Sequence, residues 1–276
     1  MKIIDGKSLA AQLRQELKTK IEQEKRKPGL AVVIVGEDSA SRIYVRNKIK
    51  ACEELGIRSY SYELPTNASQ EEVEGLLDDL AVNSDVDGIL LQMPLPKHLD
   101  ADSATAHIPF EKDVDGFSDR NLGLLMQNKQ LVSACTPSGV MKLLESEGID
   151  LAGKHAVVIG RSETVGKPMA MLLLNANATV TVCHSKTKNL SDVCRQADIL
   201  VSAVGKAKFV TADMVKDGAV VIDVGMNRDE MGKLCGDVDF DAVKEKASAI
   251  TPVPGGVGPM TITMLMYNTY LIANKE

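Results

Sequence analysis

HAVVIGRSETVGKP, residues 155–168, is the stretch that decides the fold. A continuous apolar run, a turn opening on Gly160 and an apolar helical pattern follow one another, which reads as a strand entering a helix. TVTVC (179–183), DILVSAV (198–204) and AVVIDVG (219–225) continue the series, with helical stretches between them. Further upstream LAVVIVG (30–36), apolar throughout rather than alternating, reads as a parallel strand buried on both faces. Alternation of such strands with helices predicts an α/β fold with a parallel sheet. A glycine-bearing turn from strand to helix lets backbone N–H groups and the helix dipole meet a phosphate. The motif departs from G-x-G-x-x-G, because Ser162 takes the middle glycine position and Gly166 comes one residue late. Alone it serves a plain tight turn equally well; the order strand, loop, helix, strand is what points to a dinucleotide.

The end of the second strand bears on the cofactor. An NAD site usually places Asp or Glu there for the ribose 2′-hydroxyl. Here residues 183–188 read CHSKTK, with no carboxylate. A carboxylate would repel a 2′-phosphate, whereas Ser185 can donate a hydrogen bond and Arg161 brings a cation into the turn. NADP is therefore favoured over NAD. Lys186 and Lys188 are read as solvated loop lysines.

Upstream lies a second β-α-β-α-β series. Leu9, Leu13, Leu17 and Ile21 mark an amphipathic helix over 8–27, stopped by Pro28-Gly29. Its basic cluster, Lys25-Arg26-Lys27, is read as a complement to the helix dipole rather than a phosphate patch. LAVVIVG (30–36) is a strand, Ser41 to Leu55 a helix ended by Gly56, and Arg58 to Leu64 a strand. Ser69 and Glu72 make a capping box for a helix through Leu80, and Gly88 to Leu91 is the next strand. Between Lys112 and Leu131 the pattern loosens into polar, glycine-containing chain. Thr136-Pro137 then starts a helix with an N-cap hydroxyl, and Gly148 ends it. Met260 to Ala273 reads as an apolar helix beyond a Pro/Gly-rich loop.

Composition sets the outer bounds. The chain has 276 residues, 44% hydrophobic and 25% charged, with five Tyr, four Phe and no Trp. Surface scaling gives about 12,000 Å² folded against roughly 43,000 Å² extended, enough burial to need no disulfide or metal staple. The net charge of −6 disfavours nonspecific nucleic-acid binding. Five Cys without a C-x-x-C pair and four scattered His argue against a metal site. No apolar run is long enough for a membrane span, and the first ten residues lack a signal core. A reduced, cytoplasmic protein is expected.

Candidate reaction residues lie in the first half. Tyr44 and Lys48, four apart, project from one helix face, which Ser41 and Cys52 extend. Unaided, a surface lysine beside a half-buried tyrosine is the commoner reading of such a pair. Gln92 closes a parallel strand, where ligands bind in open α/β sheets, and Pro94 and Pro96 stiffen the loop beyond it. Asp113 and Asp115 supply two carboxylates on an irregular segment that also suits an Asx turn.

These residues together resemble the bifunctional methylenetetrahydrofolate dehydrogenase/methenyltetrahydrofolate cyclohydrolase family. The resemblance runs from Asp5-Gly6-Lys7 almost to the C-terminus. It is carried by YVRNK (44–48), QMPLP (92–96), KDVDGF (112–117), GRS with VGKP (160–168) and, most specifically, TPVPGGVGPMT (251–261). It departs at Glu163-Thr164, where the family often has a polar or small residue followed by Ile; the extra carboxylate falls near the phosphate turn.

The resemblance implies two α/β domains with a cleft between them. The N-terminal α/β catalytic domain would take 1–134 plus 260–276 and bind folate; a Rossmann-type dinucleotide-binding domain would take 135–259. Lys48 would be the catalytic lysine of the hydrolytic step, oriented by Gln92; a lysine serves as a base near neutral pH only where its surroundings favour the neutral form. Tyr44 would pack against the folate, and Asp115, with Asp113 beside it, would fix the pterin ring. Pro254, Gly255, Gly256, Val257 and Gly258 would line the folate pocket. Gly160, Arg161, Ser162, Ser185 and Met226 would contact NADP. The implied partners are tetrahydrofolate derivatives, polyglutamylated or not, and a second copy of the chain in a homodimer, with no nucleic acid, membrane or metal. Two other readings stand beside this one. One is a shikimate-type or amino-acid-type NADP dehydrogenase, which has no use for the Gln92 loop. The other is a catalytically silent nucleotide- or folate-binding module.

Overall fold

Two parallel sheets, of six and three strands, organise the chain. The computed structural model describes residues 1–275, without the side chains of Ser39 and Ala40. The chain opens with β1 (Lys2–Ile3), α1 (Gly6–Gln23), β2 (Gly29–Val35), α2 (Ser39–Leu55), β3 (Arg58–Leu64), α3 (Gln70–Val82) and β4 (Gly88–Leu91). Helices α4 (Ala101–Ala106), α5 (Asp119–Met126) and α6 (Cys135–Ser146) follow. Next come β5 (His155–Ile159), α7 (Gly166–Asn175), β6 (Thr179–Cys183), α8 (Leu190–Cys194), β7 (Ile199–Ser202) and β8 (Val220–Asp223). The chain closes with β9 (Asn227–Arg228), β10 (Leu234–Cys235), α9 (Phe240–Val243), β11 (Ala249–Ile250) and α10 (Val257–Ala273). Contacts divide it into two compact units. One comprises Met1–Ala11 and Ala134–Thr261, the other Gln12–Ser133 and Ile262–Glu276.

The six-stranded unit has the order β1-β11-β8-β7-β5-β6, every neighbouring pair parallel. Burial explains the order. HAVVI and ILVS have no exposed residue and sit centrally, whereas β6 (TVTVC) exposes Thr179 and Val182 and forms an edge. Val157, Leu200, Val221, Met214 and Val243 belong to one apolar core cluster. Strand β1 was not legible in advance: two residues carry no pattern, and only pairing with β11 makes them a strand.

The three-stranded unit has the order β3-β2-β4, again parallel. Strand β2 is buried along its whole length, so it must be central. Val33, Ile89, Leu77 and Val73 lie in the core cluster beneath it. The Ser69–Glu72 capping box forms as expected, with both reciprocal bonds present. Within the basic cluster Lys27 behaves as read, its Nζ donating to the carbonyls of Ile21, Glu22 and Glu24 at the end of α1, whereas Arg26 pairs with Asp87 instead.

Three local expectations need correction. The loosened stretch contains a full helix, α5, capped by Ser118; Gly123 had masked the pattern that buries Asn121 and Leu125. Thr136 does not cap α6, which starts one residue earlier; its hydroxyl is hydrogen-bonded to that of Thr261 at 2.9 Å. Helix α10 begins at Val257, inside the stretch read as loop.

Candidate active site

Helix α2 is fixed at both ends: the Asp38 carboxylate accepts from Ser41 N at 2.7 Å, and Gly56, at φ 76°, closes it. Val45, Ala51 and Leu55 are buried, while Tyr44 is 37% exposed and Lys48 half-buried. Strand β4 continues one residue past Leu91, because Gln92 N donates to Val33 O at 2.8 Å. Lys48 Nζ donates to Gln92 Oε1 at 2.9 Å, and Gln92 Nε2 donates to Met93 O at 2.6 Å. Lys48 donates here and the Met93 carbonyl accepts, so the amide turns its oxygen to Lys48 and its nitrogen to the Met93 carbonyl. Both halves of the amide are engaged, and the lysine is held at a defined place. Ser41 and Cys52, expected to extend this face, are buried instead. Burial pushes the Cys52 thiol up to about 12, which leaves it unreactive at neutral pH.

The Asp113–Asp115 segment lies beside the same strand. Ile89 N donates to Lys112 O at 2.8 Å, and Ile89 bridges Asp113. Asp113 is buried, and its carboxylate accepts from Gly116 N (2.9 Å), Ser118 N (2.7 Å) and Asn121 Nδ2 (2.9 Å). A direct substrate contact does not suit that geometry, since both oxygens are already used inside the loop. Asn268 of α10 donates to Val114 O at 2.8 Å and Ser133 O at 3.0 Å, pinning the loop from a second side. Asp115, half-buried, sits between these two anchors.

In the six-stranded unit, Gly160 follows β5 at φ 134°, and a Cβ there would overlap the Ala203 carbonyl; only glycine fits. Arg161 and Ser162 are exposed. The Ser162 hydroxyl accepts from Val165 N (3.2 Å) and Gly166 N (3.3 Å), so this side chain, rather than a bare backbone, covers the start of α7. The Arg161 guanidinium makes no ion pair among the described residues. Glu163 is engaged by Lys167 at 2.7 Å, so its charge does not stand alone beside the turn. Ser185 and Met226 are exposed at the ends of β6 and β8.

Pro254 to Gly258 spans the turn into α10. Gly6, to which the sequence reading gave no role of its own, packs against this turn so closely that a Cβ would overlap the Gly256 carbonyl. Lys7 N donates to Gly255 O at 2.9 Å. The available signal was the Asp5-Gly6-Lys7 triplet where the resemblance begins.

The NAD(P)-binding domain of the tetrahydrofolate dehydrogenase/cyclohydrolase family matches residues 134–276, and that family's catalytic domain matches residues 4–115. The chain belongs to the tetrahydrofolate dehydrogenase/cyclohydrolase family. Among curated members, the bifunctional protein FolD of Agathobacter rectalis is 55% identical over 269 residues, 96% of each chain. The bifunctional FolD methylenetetrahydrofolate dehydrogenase/cyclohydrolase of Campylobacter jejuni superposes with a TM-score of 0.96 at 50% identity, over 99% of this chain and 98% of that one. The Trypanosoma brucei methylenetetrahydrofolate dehydrogenase-cyclohydrolase, solved with NADP and an inhibitor, has a TM-score of 0.93 at 40% identity, over 98% and 96%. Membership of the tetrahydrofolate dehydrogenase/cyclohydrolase family agrees with the resemblance drawn from the sequence and with its two-domain α/β fold.

Proposed function

We propose that this chain is a bifunctional folate enzyme that oxidises methylenetetrahydrofolate with NADP and hydrolyses the methenyl product to formyltetrahydrofolate. The observation that carries the reading is the Lys48–Gln92 bond, a lysine fixed by an amide at the C-terminal end of a parallel strand. A shikimate-type dehydrogenase has no use for that amide, and a retired binding module has no need to hold the lysine.

The three-stranded unit supplies the folate chemistry, and the expected catalytic domain, 1–134 plus 260–276, remains our assignment. Tyr44 lies against the folate. Asp115 accepts hydrogen bonds from the pterin amino group and ring N–H, while Asp113 serves by holding the loop rather than by touching substrate. Pro254, Gly255, Gly256, Val257 and Gly258 line the folate pocket. In the hydrolytic step water adds to the methenyl carbon. Lys48 takes one proton as water adds and gives it to the ring nitrogen as the bond from that nitrogen to the carbon breaks; the remaining hydroxyl proton of the adduct leaves to solvent as the formyl C=O forms, and Gln92 keeps the amine aimed throughout.

The residues of the six-stranded unit fit NADP: a guanidinium at Arg161 that makes no ion pair among the described residues, a hydroxyl at Ser185 and no carboxylate in residues 183–188. When bound, NADP supplies the acceptor for the hydride leaving the methylene carbon. Gly160 admits the pyrophosphate, Ser162 shapes the turn, Arg161 and Ser185 hold the 2′-phosphate, and Met226 borders the nicotinamide end. The exposed edge strand β6, with Val182 at 39% exposure, supports a homodimer formed through this unit. Five free cysteines suit a reducing, cytoplasmic setting.

Lys48→Met tests the reading. It should lower methenyltetrahydrofolate hydrolysis by at least about a hundredfold, the usual size of a general acid–base contribution, while the folate still binds by calorimetry. Retained hydrolysis would remove Lys48 from the mechanism.

A further inference from the structure

Strand β8 ends in a buried carboxylate, Asp223, and a second, Asp237, which follows β10, is hydrogen-bonded at the end of β7; none of the roles above uses either. Asp223 is 3% exposed and Asp237 wholly buried. Asp223 Oδ1 accepts from Gly225 N and Asp237 N, both at 2.9 Å, and its Oδ2 accepts from Val238 N at 2.9 Å. Asp237 Oδ2 accepts from Val204 N (2.7 Å), Gly205 N (3.2 Å) and Ser202 Oγ (3.2 Å). Its Oδ1 accepts from Lys206 N and from Asn227 Nδ2, both at 2.9 Å. Neither makes an ion pair with Lys or Arg among the described residues. Their charge is answered by N–H and O–H dipoles alone, six of them from the backbone.

The place of this network matters more than its stability. Ligands of open α/β sheets bind at the C-terminal strand ends, and both carboxylates lie there. The backbone of residues 204–206, gathered by Asp237, follows Ala203, whose carbonyl lies hard against Gly160 of the phosphate turn. Met226 stands between two held neighbours, Gly225 on Asp223 and Asn227 on Asp237. Asp223 N also donates to Thr251 Oγ1 at 2.8 Å, at the head of the Pro/Gly turn. Gly236 completes the fit, since a Cβ there would overlap the Asp223 carboxylate.

We propose that Asp223 and Asp237 are positioning residues for the dinucleotide: their carboxylates hold the 203–206 and 224–227 loops in the shape that receives NADP. The proposal rests on the dinucleotide reading of this unit. The physical reason for a carboxylate is capacity. It accepts at two oxygens with about four lone-pair sites and donates nothing, whereas an asparagine would set its NH₂ against at least two of the five donors at Asp237. Loops held before binding spare the cofactor the cost of ordering them.

Asp237→Asn separates positioning from mere stability. The Kd of NADP by calorimetry and its KM should each rise about tenfold, within the range for lost supporting contacts at a bound group, while the KM for methylenetetrahydrofolate moves less than twofold. Amide exchange at Val204 and Lys206 should accelerate in the same protein. Ser202→Ala and Asn227→Ala each remove one donor and leave the carboxylate; each should weaken NADP binding about threefold, and they decide the matter where Asp237→Asn does not fold. NADP binding within twofold of wild type in all folded variants overturns the proposal. Wild-type protein that binds no NADP overturns the dinucleotide reading beneath it.

Discussion

The two units use a buried aspartate in the same way and expose opposite things in front of it. In the three-stranded unit Asp113 gathers three N–H donors in the loop that carries Asp115, and the chemistry we propose beside it belongs to side chains, Lys48 on α2 and Gln92 after β4. In the six-stranded unit Asp237 gathers five donors and stiffens loops whose offering is largely backbone. Proton transfer needs particular functional groups at particular places; recognition of a dinucleotide needs a surface of the right shape. The first demand falls on a few half-buried side chains, the second on buried residues that bend the chain.

Exchanging the roles breaks the comparison most sharply. Lys48→Met should remove at least about two powers of ten from hydrolysis, and a matched loss from any single backbone-shaping residue of the nucleotide unit would contradict the division of labour. Asp113→Ala is the next largest effect. It leaves Gly116 N, Ser118 N and Asn121 Nδ2 without their acceptor, so unfolding in urea should show a loss of about 3 kcal/mol. An unchanged midpoint would mean that the loop holds itself.

A smaller effect sharpens the contrast through pH. Burial, outweighing three backbone hydrogen bonds, raises the Asp223 carboxyl from 3.8 to about 6, with the neighbouring Asp237 charge adding to the rise. An acid whose folded pKa is raised contributes stability that is full below its unfolded value and lost as pH rises through the folded one. From pH 7 to pH 5 the wild type should therefore gain about 1 kcal/mol over Asp223→Asn, read as the difference in unfolding free energy at the two pH values. A constant difference would show that the donors around Asp223 fully offset its burial.

The same contrast explains what the sequence made legible. Tyr44, Lys48 and Gln92 stand out by i, i+4 and strand-end spacing, but the roles proposed for them come from the family resemblance, and the structure adds the Lys48–Gln92 bond. The Ser69–Glu72 cap and the all-apolar strands were found because local physics suffices for them. Strand β1 was missed because two residues acquire a conformation only from β11, nearly 250 positions away. Asp237 was missed for a related reason: its partners at 202–206 and 227 are joined by folding, and an aspartate in GDVDF carries no sign of them. Thr136 misled because a Thr-Pro pair is a sound local start signal, and a tertiary hydroxyl contact with Thr261 used the side chain instead. Arg161 and Ser185 were legible as a charge pattern, whereas the pairing of Glu163 with Lys167, which settles that carboxylate's charge, needed the turn itself.

The most direct test of the whole account is one assay on the purified chain, methylenetetrahydrofolate supplied with NADP and, in parallel, with NAD. NADPH absorbance should rise, methenyltetrahydrofolate should form and then decay by hydrolysis, and the NAD arm should be at least about tenfold slower, since its 2′-hydroxyl offers nothing for Arg161 to pair with. No NADPH from the folate in either arm would contradict the account at its centre.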